Sequence, residues 1–166
     1  MHIPRTGGSS IRREAQTSLN VWHSALTSPP DADHCDITTS LRNETARYCS
    51  EWGHYGLKFF AKDTTVKGWI PHNGFPHTFE EFLRDNSTHN SQTKILSGCQ
   101  LYDSNCHVDV HSVARIVARI KSGCIRVTRA RIVRHTNDFR CSSYQQEAAH
   151  RANHLDYLLL SLVNRD

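Results

Sequence analysis

No apolar run in this 166-residue chain approaches the roughly 18 residues that a membrane-crossing helix needs. There is no internal repeat and no low-complexity tract, which excludes a solenoid or a linker-like polypeptide. Neither sign of charge dominates, since 20 Lys and Arg stand against 16 Asp and Glu for a formal +4. With 37% hydrophobic residues, 22% charged residues and a mean hydropathy of −0.57, the composition is globular and polar, not disordered. The triphosphate-binding pattern G-x-x-x-x-G-K-[ST] is also missing, which excludes the standard nucleotide-triphosphate loop. The length corresponds to one domain.

What is present begins at the first residues: His2-Ile3-Pro4-Arg5-Thr6-Gly7-Gly8-Ser9-Ser10, running into Ile11-Arg12-Arg13-Glu14-Ala15. A short apolar lead, a cation, two glycines and paired hydroxyls ahead of a helix-forming run make a strand–loop–helix anion cradle. Gly7 and Gly8 let the main chain turn and expose N–H groups, and the positive end of the next helix adds to them. Ser9 and Ser10 are placed to cap that helix and donate to the same oxygens, while Arg5 reaches a second anionic group. Ile11, Ala15, Leu19, Trp22 and Leu26 recur at spacings of three and four, predicting a helix over 11–26.

The order of cation, glycines and hydroxyls resembles the phosphosulfate-binding loop of the carbohydrate sulfotransferases, whose core is Pro-Lys-Thr-Gly-Gly-Thr after His-Ile. The resemblance is to the heparan-sulfate and uronyl 2-O branch. It implies an α/β, P-loop-like fold in which a parallel sheet is flanked by helices, here shortened and incomplete. It also implies transfer of a sulfuryl group from 3′-phosphoadenosine 5′-phosphosulfate (PAPS), without a metal, to a glycan hydroxyl. Pro4, Arg5, Thr6, Gly7, Gly8, Ser9 and Ser10 would hold the 5′-phosphosulfate, and Arg5, in place of the family's Lys, would stabilise the leaving group. His54 sits in Glu51-Trp52-Gly53-His54-Tyr55-Gly56, where glycines admit a substrate hydroxyl and an imidazole titrates near neutrality. By resemblance it is the base, with Glu51 as the neighbouring carboxylate.

The family pattern continues with a strand ending in Leu-Arg-Asp-Pro, then a further Arg, a Ser and a Tyr, of which Arg and Ser bind the 3′-phosphate. Leu57–Thr78, where that segment would follow, contains no Arg. The expectation is an internal deletion near 58–77 and a compromised enzyme. Thr78-Phe79-Glu80-Glu81-Phe82-Leu83 carries a capping box, and Asn90-Ser91-Gln92-Thr93-Lys94-Ile95-Leu96-Ser97-Gly98 resembles the family's next helix, Asn-x-Gln-Thr-x-x-Leu-x-Gly. The family-like region covers 1–98, and 99–166 reads as a divergent, mostly helical region.

Around these motifs, 27–40 reads as a surface loop and 41–50 as a short polar helix. Asp109–Lys121 predicts a helix burying Val110, Val113, Ala114, Val117 and Ile120. Ile125–Thr128 alternates weakly like a strand, and Gln145–Val163 predicts one long amphipathic helix. Arg115, Arg119, Lys121, Arg126, Arg129, Arg131 and Arg134 form a basic run without an acid and without aromatics to stack on bases. Two alternatives to the enzyme follow: an inactive remnant that binds polyanions through this run, or a small nucleic-acid-binding module. The six cysteines leave disulfides and reduced thiols open, and the sequons at Asn43 and Asn86 lean toward a secretory lumen. Neither His34-Cys35-Asp36 nor Cys99, Cys106, His107 and His111 has zinc-ligand spacing. Only three residues precede Pro4, so the chain reads as a truncated piece, Golgi-resident by resemblance and cytoplasmic if complete. Acceptor sugar and oligomeric state are left open.

Overall fold

The structure, a computed structural model, describes residues 35–53, 76, 78–128 and 139–164. Its described elements are β1 (Ile37–Thr39), α1 (Glu44–Glu51), α2 (Phe79–Arg84), a 3-10 turn (Asn86–Thr88), α3 (Ser91–Leu96), α4 (Val110–Lys121), β2 (Ile125–Val127), α5 (Ser143–Ala152) and α6 (His154–Val163). β1 and β2 pair in parallel, Ile37 opposite Ile125 and Thr39 opposite Val127, so the helices α1 to α4 form the crossover between them. The described part is therefore α/β in character, helix-rich around a small parallel sheet. The regions before and after residue 98 share one core, because each contributes one of the two strands.

Of the predicted surface loop 27–40, residues 27–34 lie outside the described residues, and Ile37–Thr39 are the strand β1 instead. Ile37 and Thr39 are buried, and the Ile37 amide donates to the Cys124 carbonyl at 3.0 Å. Three residues are too few to display a period of two, so pairing with a distant strand decides the matter. β2 appears where the weak alternation placed it.

Aromatic rings from α1, its C-cap Trp52 and α2 cluster in the core. Tyr48 lies 4.6 Å from Phe82, and Trp52 lies 5.5 Å from Phe82 and 5.9 Å from Phe79, between centroids. Such pairs each contribute about 0.5–1.5 kcal/mol beyond their buried area. The Tyr48 hydroxyl donates to the Phe82 carbonyl at 2.7 Å and lies 2.8 Å from the Thr88 hydroxyl, so its polar end is satisfied inside the core. Burial pushes the phenol's pKa well above its ordinary value. Gly53 abuts this cluster at its edge: a Cβ there would stand 2.4 Å from the Phe139 Cβ. Close packing against Phe139 leaves no room for a side chain there.

α2 starts on the predicted capping box, Thr78 accepting from the Glu81 amide and Glu81 returning a bond to the Thr78 amide. α4 starts on a second box, Asp109 with Ser112. Its buried face consists of Val113 and Ile116, with Val117 and Ile120 packed against the core. Val110 is 56% exposed and Ala114 is exposed, so the expected stripe is rotated: Ile116 replaces those two. The predicted helix over 145–163 is two helices, α5 and α6, broken at the buried Asn153.

All six cysteines are paired, Cys35 with Cys124, Cys49 with Cys141 and Cys99 with Cys106. The first bond ties the entry of β1 to the entry of β2, and the second ties α1 to the segment ahead of α5.

His89, following the 3-10 turn, is half-buried beside Tyr48, and its Nε2 donates to the Leu83 carbonyl at 2.9 Å. Burial, with the nearby Lys94 charge, lowers its pKa below the ordinary 6.5. The unfolded chain therefore takes up a proton that the folded chain resists. Stability is full above the unfolded value and falls as pH drops through it toward the depressed one. His89→Gln keeps the donor and removes the titration. The urea midpoint of the variant is expected to fall less than that of wild type between about pH 7.5 and about pH 5.5. An equal fall in both proteins contradicts this assignment.

Candidate functional site

The predicted cradle and base, Pro4, Arg5, Thr6, Gly7, Gly8, Ser9, Ser10 and His54, lie outside the described residues. So does the predicted helix over 11–26. What the structure does describe is a second strand-to-helix junction, at 39–44, and the supports that hold it.

β1 ends at Thr39, and Ser40, Leu41 and Arg42 lead into the N-cap of α1 at Asn43, whose Oδ1 accepts from the Ala46 amide at 2.9 Å. Glu44, the first residue of the helix, is buried and acidic, favourable to the positive end of the helix dipole. One of its oxygens lies 2.8 Å from the His150 Nδ1 on α5. Arg42 is half-buried. Its amide donates to the Gln92 Oε1 at 2.9 Å, and its carbonyl accepts from the Gln92 Nε2 at 3.0 Å. One side-chain amide thus takes both main-chain polar groups of Arg42, which belong to neither the sheet ladder nor the helix.

Gln92 comes from the segment Asn90-Ser91-Gln92-Thr93, and the structure shows what that segment is for. α3 and α6 cap each other. The Asp156 carboxylate of α6 accepts from the Gln92 amide (3.1 Å), the Thr93 amide (2.8 Å) and the Thr93 hydroxyl (2.8 Å), the N-terminal donors of α3. In return the Asn90 Oδ1 accepts from the Leu155 amide at 3.0 Å, a first-turn donor of α6. The Asn90 amide donates to the Asn153 Oδ1 at 2.8 Å, and the Asn153 Nδ2 donates to the Ala149 carbonyl at 2.8 Å. Neither helix has a cap bond from its own N-cap side chain. Asn90 adopts a left-handed backbone, φ 50°, which Asn tolerates better than most residues.

Below the junction lies a buried ion network. Arg47 and Glu51 pair across one turn of α1, the Tyr102 hydroxyl donates to the other Glu51 oxygen at 2.8 Å, and the Arg47 Nε stands 4.0 Å from Asp156. Arg47, Glu51 and Asp156 are all 0% exposed. Burial by itself would lower the Arg47 pKa, but the Glu51 and Asp156 charges outweigh it and the net shift is upward. Glu51, expected as a companion of His54, is committed to Arg47 and Tyr102.

The segment 58–77, where the family pattern has its strand ending in Leu-Arg-Asp-Pro, lies outside the described residues except for residue 76. The described strand β1 leads through Leu41-Arg42 to Asn43-Glu44, with Arg47, Tyr48 and Ser50 on α1. Asn is a favoured N-cap and Glu suits the first turn of a helix.

Of the described members of the basic run, Arg115, Lys121 and Arg126 are exposed and Arg119 is half-buried. Arg126 lies 3.3 Å from Asp36, and Arg119 donates to the Leu96 carbonyl at 3.3 Å. Arg129, Arg131 and Arg134 lie outside the described residues. Among the described residues no cluster of His, Cys, Asp and Glu could hold a metal, and no helix is long and apolar enough to cross a membrane.

Removing the Asp156 carboxylate strands the α3 amides and leaves Arg47 with one counter-charge fewer. Asp156→Ala is expected to cost about 3–5 kcal/mol in urea unfolding, the range for breaking a buried charged network. Arg126→Ala, at an exposed pair, is expected to cost about 0.5 kcal/mol or less. A loss of under about 1 kcal/mol for Asp156→Ala contradicts the capping role.

No protein-family model, no curated protein and no solved structure matches the chain. The functional argument therefore rests on its residues and geometry.

Proposed function

We propose that this chain is a sulfotransferase-type α/β domain that binds PAPS and transfers its sulfuryl group to a carbohydrate hydroxyl. The observation that carries the reading is the 39–50 junction, where a parallel strand delivers Arg42 to the capped start of a helix bearing Ser50. Strand-end loops entering helix N-termini are where open α/β sheets bind phosphorylated ligands. Arg42 and Ser50 take the places of the 3′-phosphate-binding Arg and Ser in the family pattern. Arg47 does not, since it is enclosed by Glu51 and Asp156. Pro4 to Ser10 hold the 5′-phosphosulfate in this reading, and Arg5 stabilises the charge that grows on the leaving phosphate oxygen.

In the transfer, the acceptor oxygen forms a bond to sulfur as the bond from sulfur to the phosphate oxygen breaks, and a base removes the hydroxyl proton. No metal enters this chemistry. By the resemblance that base is His54, in the Gly53-His54 pair. The three disulfides support folding in an oxidising compartment, in keeping with a Golgi lumen.

Calorimetric titration with adenosine 3′,5′-bisphosphate tests the reading. Wild type is expected to saturate, and Gly8→Asp and Arg42→Ala to bind about tenfold or more weakly, the value of one lost charged hydrogen bond. Binding only to heparin or nucleic acid, with steep salt dependence and indifference to both substitutions, would favour the polyanion-binding alternatives and overturn it.

A further inference from the structure

We infer that Asn86 is a modification site, taking an N-linked oligosaccharide on its side-chain amide before the chain folds. The inference is independent of the nucleotide reading. Asn86-Ser87-Thr88 is an N-x-[ST] acceptor sequence. All six cysteines are in disulfides, as in chains that fold in the oxidising lumen where such sugars are added. Asn86 is exposed at the first position of a 3-10 turn whose other two residues, Ser87 and Thr88, are buried. The turn is held through its main chain: the Asp85 carboxylate accepts from the Ser87 amide at 2.8 Å, and the Lys94 Nζ donates to the Asn86 and Ser87 carbonyls at 2.8 and 3.3 Å. None of these bonds uses the Asn86 side chain, so a sugar there displaces none of them.

The other asparagines set Asn86 apart. Asn90 and Asn153 are buried, with side chains bonded in the interior, and neither begins an acceptor sequence. Asn43 begins one, but its Oδ1 caps α1 and its Nδ2 donates to Glu44 at 3.3 Å, so its amide has a structural use and the inference is confined to Asn86. Thr88 fixes the order of events. The acceptor sequence requires a hydroxyl at its third position, so the transferase has to reach it. In the folded chain Thr88 is 0% exposed, and its hydroxyl lies 2.8 Å from the Asp85 carbonyl, 2.9 Å from the Phe82 carbonyl and 2.8 Å from the Tyr48 hydroxyl. Transfer therefore precedes closure of the core around Tyr48. In it, the Asn86 Nδ2 forms a bond to the anomeric carbon of a lipid-linked oligosaccharyl diphosphate as the bond from that carbon to the diphosphate oxygen breaks. The lipid diphosphate leaves, and one Nδ2 proton passes to a base on the transferase.

The test takes protein purified from the cells that make it and releases N-linked sugars with peptide N-glycosidase in heavy-oxygen water, which converts a sugar-bearing asparagine to labelled aspartate. The tryptic peptide Asp85–Lys94 is then read by mass spectrometry. Label is expected at Asn86 and not at Asn90, which lies in the same peptide outside any acceptor sequence. Both are followed by Ser, so spontaneous deamidation would mark the two alike. Unlabelled asparagine at position 86 throughout the sample, or equal label at both positions, overturns the inference. The order of events is tested with a microsomal membrane fraction that supplies the transferase and its lipid-linked donor, read at the same peptide. Sugar-free chain presented reduced and unfolded is expected to be modified, and the folded, disulfide-bonded chain to be modified about tenfold less or not at all, since it must open first. Equal modification of the two overturns the claim that transfer precedes folding.

Discussion

Two short helices that start toward each other settle the arrangement of this molecule. A six-residue helix such as α3 does not persist alone, because nucleation is costly and its first amides have no partner within the helix. Asp156 supplies that partner from α6, and Asn90 supplies the reciprocal one from the start of α3. A cap contributes about 1 kcal/mol at an exposed helix end. Here the groups are buried, so leaving any of them unpaired costs about 1–3 kcal/mol each. That asymmetry, more than the bonds' own strength, locks the relative placement of the two helices. It also explains a carboxylate with no exposed surface: two helix N-termini and Arg47 surround it with positive potential.

The rest of the described structure attaches to this pair. The Arg47–Glu51 bridge ties α1 to it from one side, and the Gln92 amide ties the end of β1 from the other. The aromatic cluster of Tyr48, Trp52, Phe79 and Phe82 then sets α1 against α2, with Tyr48 pinned to the turn that α2 leads into. Two of the disulfides join parts of the chain 89 and 92 residues apart, the Cys49–Cys141 bond inside the core. A strand end, a capped helix and a clamped arginine are thereby held at one place by groups spread over most of the described sequence.

How much of this was legible in the sequence depended on the range of the interaction. The Thr78–Glu81 box, the stop at Gly98 and the weak alternation of 125–128 are written locally, and each element stands where they put it. The break at Asn153 was not legible, because continuous helix propensity over 145–163 says nothing of Asn90, 63 residues away. β1 was hidden because its three residues are a strand only by virtue of Ile125–Val127. The start of α1 is written locally too, in the N-cap Asn43 and the first-turn Glu44. The need for glycine at Gly53 has a cause that local sequence does not display, the close approach of Phe139.

In the proposed function, sulfuryl transfer would ask for fixed cations and amides around a nucleotide, and fixed groups require partners that do not move when a ligand arrives. The reciprocal caps fix α3 and, through Gln92, the main chain at Arg42. Native-state hydrogen exchange at the Gln92, Thr93 and Leu155 amides measures them directly. The account predicts that all three exchange only through global unfolding, with opening free energies equal to the stability of the whole domain. Exchange of Gln92 and Thr93 at the fast rates of a fraying six-residue helix would contradict it.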